Sequence, residues 1–340
     1  MAAETRGSGA ARGYMAKIKI KTSSGFTKLK FLLLPYKKVY MVCDRNVTEY
    51  AKKVGGSIPT LAIDASETAK TMEKVLVICR WLLEKGADRN SLVLAVGGGV
   101  TTDVVGFAAS IYMRGVRYAN VPTTLLGQVD AGIGGKTGVN FESYKNMLGV
   151  IRQPEFTYIA TDTLKTLPPQ EFFSGAAELL KTFIIRDAKR YEQAVRILST
   201  TKSVDELKPL IEAAASIKAS IVRRDENEKG LRRVLNLGHT WGHAIEWYQN
   251  THVGVPVRTH GEAVAIGIIQ AARKSEEMKL ADPGLADKLT ADFKAIGLPT
   301  ELPCPAADLE EAIRKDKKGD DGKINYVLIR RIGDVTVKKL

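Results

Sequence analysis

The chain has 340 residues, a formal charge of +13, 44% hydrophobic residues and 26% charged ones, a balance that supports two well-filled cores and excludes a disordered or fibrous polymer. No apolar run approaches the roughly 18 residues a membrane span needs, and three widely spaced cysteines without a C-x-x-C point to a reducing compartment, so no membrane partner and a cytoplasmic protein are expected. Lys and Arg are spread along the chain apart from groups at 17–30 and 314–323; lacking a basic stripe with interleaved aromatics, the charge reads as a solvated surface plus a cleft for an anionic metabolite, with no nucleic-acid partner.

Residues 1–14 are small, polar and Gly-rich, without the apolar core of a secretory signal, and read as a tail with Met15 as an alternative start. The stretch 17–34 alternates Lys and Ile, turns at Ser-Ser-Gly and runs apolar, which predicts a hairpin or edge strand guarded by lysines. A short buried strand is predicted over 37–43, with Asp44 and Asn46 at its carboxyl end opening a helix. A strand over 58–63 precedes an amphipathic helix over 68–85, whose apolar face carries Met72, Val75, Cys79 and Leu82. Residues 91–115 read as strand, triple glycine and helix; a strand at 118–122, a helix from Thr123 and a loop over 131–140 follow. Strands alternating with helices predict a parallel sheet with helical crossovers.

The triple glycine Gly97–Gly99 falls where a strand meets a helix. Glycine there lets backbone N–H groups approach a pyrophosphate, and the helix N-terminus favours its charge. The pattern is G-G-G-x-x-x-D-x-x-G, ending at Asp103 and Gly106, not G-x-G-x-x-G, and a tight turn would also account for two of the glycines. Gly135-Lys136-Thr137 is not a P-loop, because Asp130 stands where the first glycine is required. Beyond Pro168-Pro169 the patterns are helical until a small terminal hairpin over 323–338. An α/β half over 1–168 and a mainly helical half over 169–340 leave a cleft between them, a favoured place for a ligand. There is no internal repeat and no low-complexity segment.

All four histidines lie within 232–262. His239 and His243 share a helix face, and His260 opens the next apolar helical pattern. His252, in a polar loop, reads as a surface residue. Two imidazoles on one helix and a third at the start of the next could close around one divalent ion, given a carboxylate from elsewhere. Glu178 is the carboxylate, since SGAAELLKTF surrounds it with small and apolar residues and places Lys181 one turn on. Thr240 stands where a zinc protease needs its general-base Glu, so His239-Thr-Trp-Gly-His243 is not that motif. The metal set is then Glu178, His239 and His260, and His243 is left for proton transfer or anion contact. Arg114, Lys136, Lys145, Asn146, Lys181, Lys218, Arg232 and Asn236 supply cations and amides for a small substrate with more than one anionic group.

The motifs GGGVTTDVVGFAA, RGVRYANVPTTLLGQVDAGIGGKTGVN, KNMLGV, LKTLPPQEFFSGAAELLK, NEKGLRRVLNLGHTWGHAIE, HGEAVAIG and DKKGDDGKINYVL together resemble the 3-dehydroquinate synthase family of the sugar-phosphate cyclase superfamily, from about 44 to about 328. The resemblance implies an NAD-binding α/β domain followed by a helical metal-binding domain, paired as a homodimer. It implies zinc, with cobalt as the alternative, on Glu178, His239 and His260. It implies NAD contacts by Asp44, Asn46, Glu67, Lys70, Gly98, Gly99, Val100, Asp103, Thr123, Thr124, Leu126, Lys145, Thr166, Leu167 and Glu171. The substrate pocket it implies holds Arg114 (reaching into a neighbouring subunit's site), Asp130, Lys136, Asn146, Lys181, Lys218, Glu228, Arg232, Asn236, His243 and one of Lys317 or Lys318. Lys136, Asn146, Asn236 and His243 would surround the phosphate, and Lys218 and Arg232 the carboxylate.

The implied reaction turns 3-deoxy-D-arabino-heptulosonate 7-phosphate into 3-dehydroquinate and phosphate. It runs by NAD-dependent transient oxidation, phosphate elimination, re-reduction and intramolecular aldol closure. Ala131-Gly132, Thr182-Phe183 and a longer segment between His243 and His260 depart from the family pattern and bear on loop shape. Cyclases acting on neutral sugar phosphates would leave Lys218 and Arg232 as two unpaired buried cations, a costly arrangement, which favours the carboxylated substrate. A polyol dehydrogenase of the glycerol dehydrogenase type is the other enzymatic reading, and it would release NADH. A basic binding protein on an inactive scaffold would need broken ligand positions, and none is broken.

Overall fold

The computed structural model describes residues 18–142, 144–316 and 324–340. The tail over 1–14, Met15, Lys317 and Lys318 lie outside the described residues. The order is β1 (Ile20–Ser23), α1 (Thr27–Leu33), β2 (Val39–Asp44), α2 (Thr48–Gly55), β3 (Thr60–Ile63), α3 (Met72–Glu84), β4 (Leu92–Gly97), α4 (Gly99–Ile111) and β5 (Arg117–Pro122). A hairpin of β6 (Lys136–Phe141) and β7 (Tyr144–Ile151) follows, then β8 (Thr157–Ala160). The second half is α5 (Pro169–Arg186), α6 (Ala188–Ser199), α7 (Val204–Arg224), α8 (His239–Thr251), α9 (His260–Glu277), α10 (Leu285–Ile296), α11 (Ala306–Asp316) and the hairpin β9 (Asn325–Arg331) and β10 (Asp334–Lys339).

The first half is a six-stranded sheet in the order β1-β8-β5-β4-β2-β3, parallel throughout. Its central strand β4 is buried at every position, as a strand covered on both faces must be. Side chains divide by alternation: Val93 and Ala95 meet Val75, Ile78 and Leu82 of α3 and Val104 and Val105 of α4. Leu92, Leu94 and Val96 on the other face meet Leu29 and Leu33 of α1 and Ala51 and Val54 of α2. The connection from β2 runs outward to β3 and then back across to β4. The chain therefore switches direction between β2 and β4, and such a crevice at the strands' carboxyl ends is where open α/β sheets take nucleotides.

Two local expectations are corrected. The stretch after Ser-Ser-Gly is helix α1 and not a second strand, because Phe26, Leu29 and Leu33 recur at helical spacing and are buried while Phe31 and Leu34 face out. β1 lies at the sheet edge, as its lysines suggest. The 131–140 segment is not all loop: β6 pairs antiparallel with β7, and Gly138 and Gly149 oppose each other so closely that a Cβ on either would meet backbone at 2.6 and 2.3 Å. Composition read the glycines as a loop; close strand approach is what they serve.

In the second half α5 is the buried axis, with every residue from Ser174 to Ile185 covered. α9 packs on it with no side chain between the backbones at Gly261, where a Cβ would lie 2.0 Å from the Ser174 carbonyl oxygen. α9 also starts on a capping box, Thr259 with Glu262, which sets His260 at its first turn. No helix among the described residues is long and apolar enough to cross a membrane.

Candidate active site

Glu178 projects from the middle of α5 with no solvent exposure. His239 opens α8 and His260 opens α9, so two helix starts face one helix interior. Glu178 Oε1 stands 4.0 Å from His239 Nε2 and 3.6 Å from His260 Nε2. These are long for hydrogen bonds. Ligand atoms on one tetrahedral ion at about 2.1 Å stand roughly 3.4 Å apart, close to the spacing found. The three side chains each offer a ligand atom within 4.8 Å of the others.

The surroundings suit a cation. Oε1 of Glu178 is buried without a hydrogen-bond donor, and the Lys181 ammonium sits on Oε2. His239 Nδ1 lies 3.2 Å from the Leu237 carbonyl oxygen, which can only accept, so Nδ1 carries the proton and Nε2 presents a lone pair. Burial first, then Lys181 and the neighbouring imidazoles, hold His239 well below the usual histidine range, keeping it neutral as a ligand must be. His260 Nδ1 faces Glu246 Oε1 at 3.4 Å. Burial opposes the charge of Glu246, but His260 and Lys145 outweigh it and hold that carboxyl at about 2. His243 lies beside this set, its ring centre 5.4 Å from that of His239 and 6.3 Å from that of His260.

The anion-binding candidates arrive already paired. The Lys136 ammonium meets Glu228, whose other oxygen accepts from Asn236 Nδ2 at 2.7 Å. Burial raises the Glu228 carboxyl, yet Lys136 and Asn236 bring it below its ordinary value. Lys218 meets the Asp130 carboxylate and donates to the Asp130 carbonyl at 2.8 Å. Burial works against that carboxylate too, and Lys218 and Lys181 keep it well below the usual range. The expectation that Lys218 would be an unpaired buried cation is therefore wrong, because Asp130 on the turn after β5 compensates it. Arg232 is buried and donates to two backbone carbonyls, Glu226 at 2.6 Å and Gly134 at 3.1 Å, and has no carboxylate within ion-pair distance among the described residues. The specificity argument rests on Arg232 alone.

Two expected members lie apart. Asn146, in a left-handed turn of backbone, accepts from Lys70 Nζ at 2.5 Å, and Lys70 also holds Asp103 at 2.6 Å. Asn146 is thus bonded to the Lys70–Asp103 pair of the nucleotide set. Arg114 is exposed on a left-handed turn after α4 and makes no hydrogen bond or ion pair with the described residues.

The nucleotide candidates gather round the carboxyl ends of the sheet. Asp44 ends β2 and accepts from the Asn46 N–H at 2.9 Å. Gly98, Gly99 and Val100 start α4, and Thr123, Thr124 and Leu126 follow β5. Thr166 and Leu167 follow β8, with the Thr166 hydroxyl 2.8 Å from that of Tyr50, and Glu171 lies in the first turn of α5. Glu67 accepts from Asn140 Nδ2 at 2.9 Å. Lys145 instead crosses to α8 and donates to Glu246 at 3.0 Å.

Two residues were missed. Glu246 stands in the apolar run AIEWY, the signal that singled out Glu178. Asp225 accepts from the backbone N–H groups of Lys229, Gly230 and Arg232 at 2.8–2.9 Å, folding the loop that carries Glu228 and Arg232; a lone Asp after a helix gives little sequence signal.

Family models for the N-terminal and C-terminal parts of 3-dehydroquinate synthase match residues 60–174 and 175–319. A 3-dehydroquinate synthase of Pyrococcus abyssi is 41% identical over 313 residues, covering 90% of each chain. Another, of Shewanella loihica, is 44% identical over 276 residues, covering 80% of this chain and 76% of its own. Among solved structures, the 2-epi-5-epi-valiolone synthase of Streptomyces hygroscopicus subsp. jinggangensis with NAD+ and Zn2+ bound superposes with a TM-score of 0.86 at 28% identity, covering 98% of this chain and 95% of its own. A 2-deoxy-scyllo-inosose synthase complexed with carbaglucose-6-phosphate, NAD+ and Co2+ gives 0.82 at 26%, covering 94% and 93%.

Proposed function

This chain belongs to the 3-dehydroquinate synthase family, and on that premise we propose how its own residues convert 3-deoxy-D-arabino-heptulosonate 7-phosphate into 3-dehydroquinate and phosphate. It is an enzyme that uses NAD and a divalent metal ion. Zinc is our assignment for the metal, and a phosphate-eliminating carbon–oxygen lyase our assignment of class. The observation that carries the reading is the convergence of Glu178, His239 and His260 beside a set of lysines and amides. Glu178, His239 and His260 would hold the metal, which when bound would polarise an oxygen of the substrate, and NAD would supply the reversible oxidation at the adjoining ring carbon.

The protein's part is charge placement. Lys136 and Asn236 share Glu228, so an arriving phosphate dianion would take donors already oriented toward one point. His243 would hold or return a proton beside the leaving phosphate. Arg232, tethered through two of its N–H groups to backbone, keeps the rest for the substrate carboxylate, and Lys218 shares that end with Asp130. The Lys181 ammonium pairs with the Glu178 carboxylate and would keep it oriented toward the two imidazoles. Asn146, whose Oδ1 accepts from Lys70, would offer its Nδ2 hydrogens to the phosphate, and one of Lys317 or Lys318 would complete the set. The NAD contacts are those placed at the carboxyl ends of the sheet, with 1–168 as the nucleotide domain and 169–340 as the metal domain. We assign a homodimer in which Arg114 serves the neighbouring site; Met113 beside it is exposed, as an apolar contact there would use. Free, unpaired Cys43, Cys79 and Cys304 fit a cytoplasmic setting.

The test is phosphate release from the heptulosonate with and without a chelator. Release that needs both NAD and metal, with no net nicotinamide absorbance change, is the expected result. Accumulating NADH would turn the assignment to a polyol dehydrogenase.

A further inference from the structure

Glu246 lies on α8 in the run Ala244-Ile245-Glu246-Trp247, only 7% exposed. Placing an ionised carboxylate there is costly without partners. Two groups face it from other elements: Lys145 of β7, with Nζ 3.0 Å from Oε1, and His260 of α9, with Nδ1 3.4 Å from the same oxygen. Lys145 is 44% exposed, and a pair with one half-solvated member is worth little, so it does not by itself account for a buried partner. The two imidazoles differ in how they are held. His239 leans on a main-chain carbonyl that no side-chain change removes. The ring of His260 is turned by a side chain.

We propose that Glu246 is a positioning residue for the metal centre: it takes the Nδ1–H of His260, fixes the tautomer and ring plane that point Nε2 at Glu178, and through Lys145 links that ligand to the β6–β7 hairpin. The proposal rests on the reading of Glu178, His239 and His260 as the ligand set. A carboxylate on the far nitrogen of a ligating imidazole orients it and raises its basicity, and loss of such a partner typically weakens metal binding about 10–100-fold.

The experiment titrates zinc into the metal-stripped full chain against a competing chromophoric chelator, with no NAD or substrate present. Parent, Glu178→Ala, Glu246→Gln, Glu246→Leu and Lys145→Met are compared, and the melting temperature of each metal-free form reports folding. Glu246→Leu is expected to lose about 10–100-fold in zinc affinity, with metal-free melting close to the parent's. Glu246→Gln, which keeps an acceptor but not the charge, is expected to lose less. Lys145→Met leaves Glu246 on His260 and is expected within about threefold of the parent. Should Glu246→Leu not fold, a several-fold loss in Glu246→Gln carries the result. Parent-like affinity in every folded Glu246 variant, or equal losses in Lys145→Met and Glu246→Leu, overturns the proposal. Zinc binding untouched by Glu178→Ala overturns the ligand assignment as well, which separates the two failures.

Discussion

Arg232 is the residue on which the proposed substrate discrimination would turn. Its guanidinium is buried and tied to the carbonyls of Glu226 and Gly134, with carboxylates near but none in direct ion-pair contact among the described residues, while Lys218 has Asp130. A substrate carboxylate would give that charge its counter-ion. Arg232→Ala is expected to lower kcat/KM by about 2–4 kcal/mol of transition-state stabilisation with zinc and NAD still bound; unchanged kinetics with the carboxylated substrate would remove Arg232 from the role. Asp225 holds the same loop from below. Burial raises its carboxyl, but the N–H groups of Arg232, Gly230 and Lys229 outweigh that and set it below the ordinary value. A depressed folded value means a contribution that is complete above the unfolded pKa of about 3.9 and is lost as pH falls further. The melting-temperature gap between parent and Asp225→Asn should therefore hold from neutrality to about pH 4 and close below it. A gap independent of pH would show that the carboxylate's charge has no part in holding the loop.

At the scale of elements, what brings Glu178 to His260 is a glycine contact. α9 crosses α5 at Gly261 against Ser174, and a second close approach sets Gly267 against Gly238, just before His239, where an added Cβ would lie 2.0 Å from the carbonyl oxygen. Both ligand helices are seated by absent side chains. Gly261→Ala should force α9 off α5, costing about 1–3 kcal/mol in stability and weakening metal binding, since Ser174 and Glu178 lie one turn apart. Chemical denaturation and chelator competition check the two effects, and full retention of both would show that the helices have room to adjust. The same physics explains what pattern reading missed. Glycines that serve close approach in β6–β7 look like loop glycines, and a Leu-rich stretch at 26–34 leaves strand and helix undecided until one face is covered.

For the whole molecule, the proposed homodimer has a test that needs no structure. If Arg114 acts in the neighbouring site, mixing inactive Arg114→Ala with inactive Glu178→Gln rebuilds one complete site per mixed dimer, and activity returns. No recovery in a confirmed mixed dimer would place Arg114 in its own subunit's site or outside the chemistry. The sequence by itself determined the alternating α/β half, the helical half and the three candidate ligands that converge, because periodicity, scarce histidines and a carboxylate amid apolar residues are local signals. Only the tertiary structure decided that Lys218 is compensated by Asp130, that Asn146 turns to Lys70, and that Glu246 stands behind His260. Those contacts span from 14 to 88 positions of chain, between side chains whose partners depend on which helices cross and how closely, and no periodicity in one segment encodes the distance to another.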